Sequence, residues 1–179
     1  CENGYGTLKY NDWTEWAGDT YTGYFKNNNF NGKGEYYDVD MDGVYKGDFV
    51  DHKHNGYGEL TFGPSASNPG DYYKGLWLDG LRQGKGEAFY GDGDLGGKYI
   101  GNFSNDERNG YGVYYHVSGS IYKGNWLNGN ESGYGDIIWK EGDKYSGLWS
   151  NGKQHGTGIY IDLENDTIKG EFINGISPK

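Results

Sequence analysis

Along this chain, apolar residues and glycines alternate with polar residues in short runs, and the runs come in pairs. In Tyr45-Lys-Gly-Asp-Phe49, positions 45, 47 and 49 share one parity, and Lys46 and Asp48 take the other. Gly56-Tyr-Gly-Glu-Leu60 obeys the same rule, with Tyr57 and Glu59 on the alternate positions. A period of two marks a strand, because residues i, i+2 and i+4 then share a face. Six residues join the two runs, so each pair predicts an antiparallel hairpin. The unit Tyr-x-Gly-x-aromatic, six residues, Gly-x-Gly-x-apolar occurs in six full copies, opening at Tyr21, Tyr45, Tyr73, Tyr99, Tyr122 and Tyr145. A lone second half (Gly4, Gly6, Leu8) precedes them, and a lone first half (Ile168, Gly170, Phe172) follows. The predicted organisation is one array over residues 1–179: a half repeat over 3–20, the six repeats, and a half repeat over 168–179.

The six-residue spacing inside a unit never changes, whereas the distance between unit starts varies from 23 to 28 residues. The inner turn is therefore structurally constrained, and the outer connections accept insertions. Folding the second unit as a hairpin sets Phe49 against Gly56, Gly47 against Gly58, Tyr45 against Leu60 and Lys46 against Glu59. Equivalent positions give Lys74/Glu87, Lys123/Asp136 and Ile100/Val113. Opposite charges meet, and apolar meets apolar, as cross-strand pairs prefer. A one-residue slip would lose this pattern. The paired glycines would clear a trough in which rings from neighbouring units lie flat. Aromatic burial would then replace an aliphatic core, and stacking would supply what a single hairpin lacks.

Composition fits that picture. Glycine supplies 35 residues, tyrosine 19 and tryptophan 6, with an aromatic share of 18%, while aliphatic side chains are scarce. The net charge of −10 disfavours nucleic-acid phosphates, which need clustered Lys and Arg, and equally disfavours anionic membranes. The single cysteine, Cys1, excludes an internal disulfide framework and a cysteine-built zinc site. A chain opening at Cys1 reads as processed or a fragment, and mature bacterial lipoproteins also begin this way. No apolar run approaches the ~20 residues of a membrane span.

The Tyr-x-Gly-x-aromatic, Gly-x-Gly signature closely resembles the MORN repeat family from Gly4 to Phe172. Departures are the insertions at Gly63–Tyr72 and Gly91–Lys98, Ala88 at an apolar site, and Ile168 for the leading Tyr. The resemblance implies an all-β, solenoid-like array: an elongated, twisted, single-layer antiparallel sheet of tandem hairpins. It implies a non-enzymatic scaffold or adaptor, cytoplasmic and associated with cytoskeletal or membrane-proximal assemblies. Such arrays self-associate or grip an extended or helical segment. Others are regulatory modules of larger enzymes, such as lipid kinases or protein methyltransferases, or membrane tethers. No catalytic motif and no cofactor site is carried over.

Core packing accounts for most rings of such a ladder, but a single-layer sheet cannot cover both faces, and contiguous exposed rings mark interaction sites. The residues nominated for partner contact are Tyr45, Phe49, Tyr73, Trp77, Tyr99, Phe103, Tyr122, Trp126, Tyr145 and Trp149. Tyr57, Tyr111 and Tyr134 form a second stripe on the opposite face. Asp38, Asp40 and Asp42 imitate the start of a calcium loop, although the twelfth position is Phe49 and strands flank it. Asp92 and Asp94 invite the same reading with less support. His52 and His54 form a His-x-His pair that reads as a solvated turn, and His155 reads as a turn residue. Sequons stand at Asn102, Asn130 and Asn165. The two half repeats are complementary in kind, so head-to-tail association or membership of a longer chain is the remaining expectation.

Overall fold

A computed structural model describes residues 2–91 and 96–178. Cys1, with the readings attached to it, and the pair Asp92 and Asp94 lie outside the described residues. The chain forms two compact units, Cys1–Asp92 and Gly93–Lys179. Among the described residues there is no helix.

The first unit contains β1 (Asn3–Lys9), β2 (Thr20–Lys26), β3 (Asn29–Asp38), β4 (Gly43–Val50), β5 (Lys53–Phe62), β6 (Tyr72–Leu78) and β7 (Leu81–Tyr90). The second contains β8 (Gly97–Ser104), β9 (Glu107–His116), β10 (Ile121–Leu127), β11 (Asn130–Ile138), β12 (Lys144–Ser150), β13 (Lys153–Ile161) and β14 (Thr167–Phe172). Within each unit every strand pairs antiparallel with its sequence neighbour, so both are plain meanders. The six predicted hairpins are β2–β3, β4–β5, β6–β7, β8–β9, β10–β11 and β12–β13.

The inner turns explain the constant spacing. Their central residues are Asn27–Asn28, Asp51–His52, Asp79–Gly80, Asn105–Asp106, Asn128–Gly129 and Asn151–Gly152, all at positive φ. This is the two-residue type I′ turn, whose twist matches that of the flanking strands and which Asn, Asp and Gly tolerate. Val50 and Lys53, for example, close directly around Asp51–His52.

The predicted register holds at Tyr45↔Leu60, Lys46↔Glu59 and Gly47↔Gly58, and at Lys74↔Glu87, Lys123↔Asp136 and Ile100↔Val113. It fails at the next step. Phe49 lies opposite His54, not Gly56, because a bulge shifts the register between Gly47 and Phe49. Gly56, at φ 74°, instead faces Trp77 of the following repeat. The same shift recurs in every hairpin of the array. A bulge glycine in the left-handed region is the physical reason. The ion pairs also differ from expectation. Lys46 and Lys74 are flanked by carboxylates on both neighbouring strands, and each bonds backwards, to Glu35 at 3.0 Å and Glu59 at 3.3 Å.

Candidate functional site

Each repeat builds the same packing unit around its leading tyrosine. Tyr21, Tyr45, Tyr73, Tyr99, Tyr122 and Tyr145 are at most 3% exposed. Each phenol donates to the carbonyl three residues on, as in Tyr99 to Asn102 at 3.0 Å and Tyr122 to Asn125 at 2.9 Å. That bond folds the ring across two glycines of its own hairpin. A Cβ on Gly124 would stand 2.5 Å from both the Tyr122 hydroxyl and Gly135 Cα. The ring in the trough is thus the repeat's own tyrosine and not, as expected, a ring from a neighbour. Neighbours meet it edge-on: Tyr45–Trp77, Tyr99–Trp126 and Tyr122–Trp149 have centroids 5.1–5.4 Å apart at 81–88°. The indoles of Trp77, Trp126 and Trp149 donate to the carbonyls of Gly58, Gly112 and Gly135.

All ten nominated rings are therefore in this ladder, none more than 7% exposed. They present little ring surface to solvent and form the floor on which other side chains lie. Those side chains come from the position two residues before each Gly-x-Gly. Phe30 stacks on Tyr21 at 3.7 Å and His54 on Tyr45 at 3.6 Å. Arg82 lies over Tyr73, and Arg108 lies over Tyr99, Tyr114 and Trp126, reaching 4.3 Å from the indole centroid. His54 is consequently not a solvated turn residue. It sits in β5 between Tyr45, Phe49 and Trp77, and burial pushes its imidazole down to about 4. His52 does occupy an exposed turn and meets Asn29 at 3.0 Å. His155 is exposed but belongs to strand β13, not to a turn.

Polar residues two positions before the leading tyrosine stitch the outer connections together. Asp19 is buried, accepts from the Tyr36 hydroxyl, and takes the Val39 amide at 2.9 Å. Asp71 takes the Gly91 amide, Ser120 the Lys140 amide, and Asp143 the Tyr160 hydroxyl. The recurrence of Asp or Ser at that position was the available signal for them. The calcium reading does not fit this chemistry. Asp42 accepts from the Ser65 amide and the Tyr37 hydroxyl, and Asp38 caps the Met41 amide. No group of three or more metal-ligating side chains is placed to hold an ion among the described residues.

Two concavities lie over ladder rings. In the first unit a cavity of about 510 Å³ is lined by Tyr10, Trp16, Phe30, Tyr36, Phe49, His52 and His54. In the second, one of about 390 Å³ includes Trp139, Asp143, Gln154, Tyr160, Ile168 and Phe172. Of the nominated rings, Phe49 lines the first. Trp16 and Trp139 were not singled out, because they stand in connections that obey no repeat pattern. On the opposite face the stripe is open: Tyr57, Tyr111 and Tyr134 are 52–57% exposed. Tyr57 and Tyr134 sit across from the exposed Leu76 and Leu148. No helix among the described residues is long and apolar enough to cross a membrane.

A family profile described as MORN repeat matches residues 2–15, 21–40, 45–65, 73–95, 99–121, 122–144 and 145–162. The chain is similar to MORN repeat-containing protein 3 of Xenopus laevis, 37% identical over 76 residues, covering 41% of this chain and 31% of that protein. It is also similar to Alsin of Rattus norvegicus, 34% identical over 70 residues, covering 39% of this chain and 4% of that protein. The chain thus spans under a third of either relative.

Proposed function

Because the chain belongs to the MORN-repeat family, we propose that it is a non-enzymatic interaction module that seats a protein segment on the ladder face of its hairpins. The observation that carries this reading is the pair of ring-lined concavities on that face, about 510 and 390 Å³. Concave, largely apolar surfaces with a few polar groups are where partners dock. The ten buried ladder rings would hold the floor flat and rigid, and Trp16, His54, Trp139 and Gln154 would meet the partner. The partner is an extended or helical segment, or another copy of the chain. The brevity of the Alsin match supports use of such an array as one module of a larger protein. The exposed tyrosine stripe supports a second reading, in which the opposite face makes the contact.

Trp77→Ala or Trp126→Ala would report stability first, because both indoles are buried and hydrogen-bonded. Selection of displayed random peptides against the chain separates the two faces more cleanly. Enriched peptides should lose binding to a Trp16→Ala/Trp139→Ala variant and keep it on a Tyr57→Ser/Tyr111→Ser/Tyr134→Ser variant. The reverse pattern would transfer the function to the opposite face, and no enrichment on the folded chain would remove both readings.

A further inference from the structure

Rings of the first unit's cavity have counterparts around a guanidinium elsewhere in the chain. In the repeat opening at Tyr99, the leading tyrosine, Tyr114 and the next repeat's Trp126 surround the Arg108 guanidinium, which also donates to the Gly129 carbonyl at 2.8 Å. The corresponding rings in the first repeat are Tyr21, Tyr36 and Phe49, and Phe30 stands where Arg108 does. Phe30 stacks on Tyr21, with its centroid 6.1 Å from Tyr36 and 6.0 Å from Phe49. Over them lies the open cavity of about 510 Å³.

Its far wall comes from the connection between β1 and β2. That loop is closed at its base by mutual backbone bonds between Tyr10 and the Gly18–Asp19 end, and Tyr10 packs on Trp16 at 5.5 Å. Residues 10–25 contain Asp12, Glu15 and Asp19 and no Lys or Arg. The cavity thus has ring faces, which attract cations through their quadrupole, and the loop that supplies Trp16 to its lining carries the exposed carboxylates Asp12 and Glu15. On the opposite wall, burial keeps His54 neutral at ordinary pH.

We propose that this cavity is a receptor for one arginine side chain of a partner segment, held over Tyr36 and Trp16 much as Arg108 is held over its own rings. The inference rests on the ladder-face reading and deepens it by naming the side chain the partner inserts. Arginine is favoured because the planar guanidinium stacks on rings while keeping edge hydrogen bonds.

The test uses the whole chain and a capped pentapeptide with a single arginine between glycines, against the same peptide carrying citrulline, its neutral isostere. The indole N–H resonance of Trp16, identified from a Trp16→Phe spectrum, reports binding. The arginine peptide should shift that resonance saturably and bind on the order of tenfold tighter than the citrulline peptide, as loss of a partly desolvated cation–π contact implies. Trp16→Ala, followed by calorimetric titration because it lacks the reporting indole, should abolish binding while leaving thermal unfolding unchanged, since Trp16 is a loop residue 49% exposed. Glu15→Gln should weaken binding with the indole intact. Equal binding of both peptides, or no saturable shift with arginine, overturns the proposal. If displayed peptides still dock on the ladder face, only the arginine assignment falls; if they do not, the ladder-face reading falls with it.

Discussion

The glycines of this chain do two different jobs that look identical in sequence. Gly124 and Gly135 are kept bare by the Tyr122 ring, whereas Gly129 and Gly133 adopt positive φ, 78° and 68°. The repeat spacing made the trough legible, but not this division, because a bulge glycine and a trough glycine differ only in three-dimensional surroundings. The division predicts opposite outcomes. Gly124→Ala forces its Cβ into the phenol and the facing backbone and should cost about 3 kcal/mol. Gly129→Asn should change stability by less than about 0.5 kcal/mol, because Asn28 and Asp106 already hold the same turn position at positive φ. Tyr122→Phe removes the phenol's bond to the Asn125 carbonyl and should cost about 1 kcal/mol. Urea unfolding of the three variants checks all three outcomes.

At the scale of the hairpin, strand pairing and turn position were readable from parity and constant spacing, down to individual pairs such as Lys46↔Glu59. What parity could not reveal is the bulge, which inserts residues without breaking the alternation seen on either side. That is why Phe49 was set against Gly56, and why His54 looked like part of a turn. The burial of His54 has a pH consequence. Burial holds the folded His54 at about 4, against 6.5 for a free imidazole, so the unfolded chain takes up the proton first as pH falls. Its contribution is complete above about pH 6.5, is lost progressively toward pH 4, and changes no further below that. The loss should reach at most about 3 kcal/mol. His54→Phe, which copies Phe30, should flatten the melting curve against pH over that window. Comparing variant and parent cancels the carboxylates that titrate nearby.

At the scale of the molecule, the sequence made the family and the all-β array plain, because both depend on a motif repeated six times. It did not reveal which surface is free. The ladder was expected to be core and contact at once, and the rings proved to be buried by one another and by the cover residues. The concavities owe their walls to Tyr10, Trp16 and Trp139, which lie outside the repeat and carry no periodic signal. Net charge bears on the proposed partner as well. With −10 overall, capture of an arginine-bearing segment should weaken as ionic strength rises from about 0.05 to 0.5 M. A purely apolar contact would show no such decline in a titration.

The bond from each leading phenol to its own backbone also divides the tyrosines by reactivity. Six phenols are buried and already donated to carbonyls, with Tyr21 pushed up to about 12 and Tyr45 and Tyr122 raised by the same burial. Tyr5, Tyr24, Tyr57, Tyr111 and Tyr134 stand in solvent. A nitrating or iodinating reagent would therefore label the face opposite the ladder and spare the leading tyrosines. Mass spectrometry of the labelled chain, with and without a bound partner, would turn the tyrosine content of this protein into a footprint of that face.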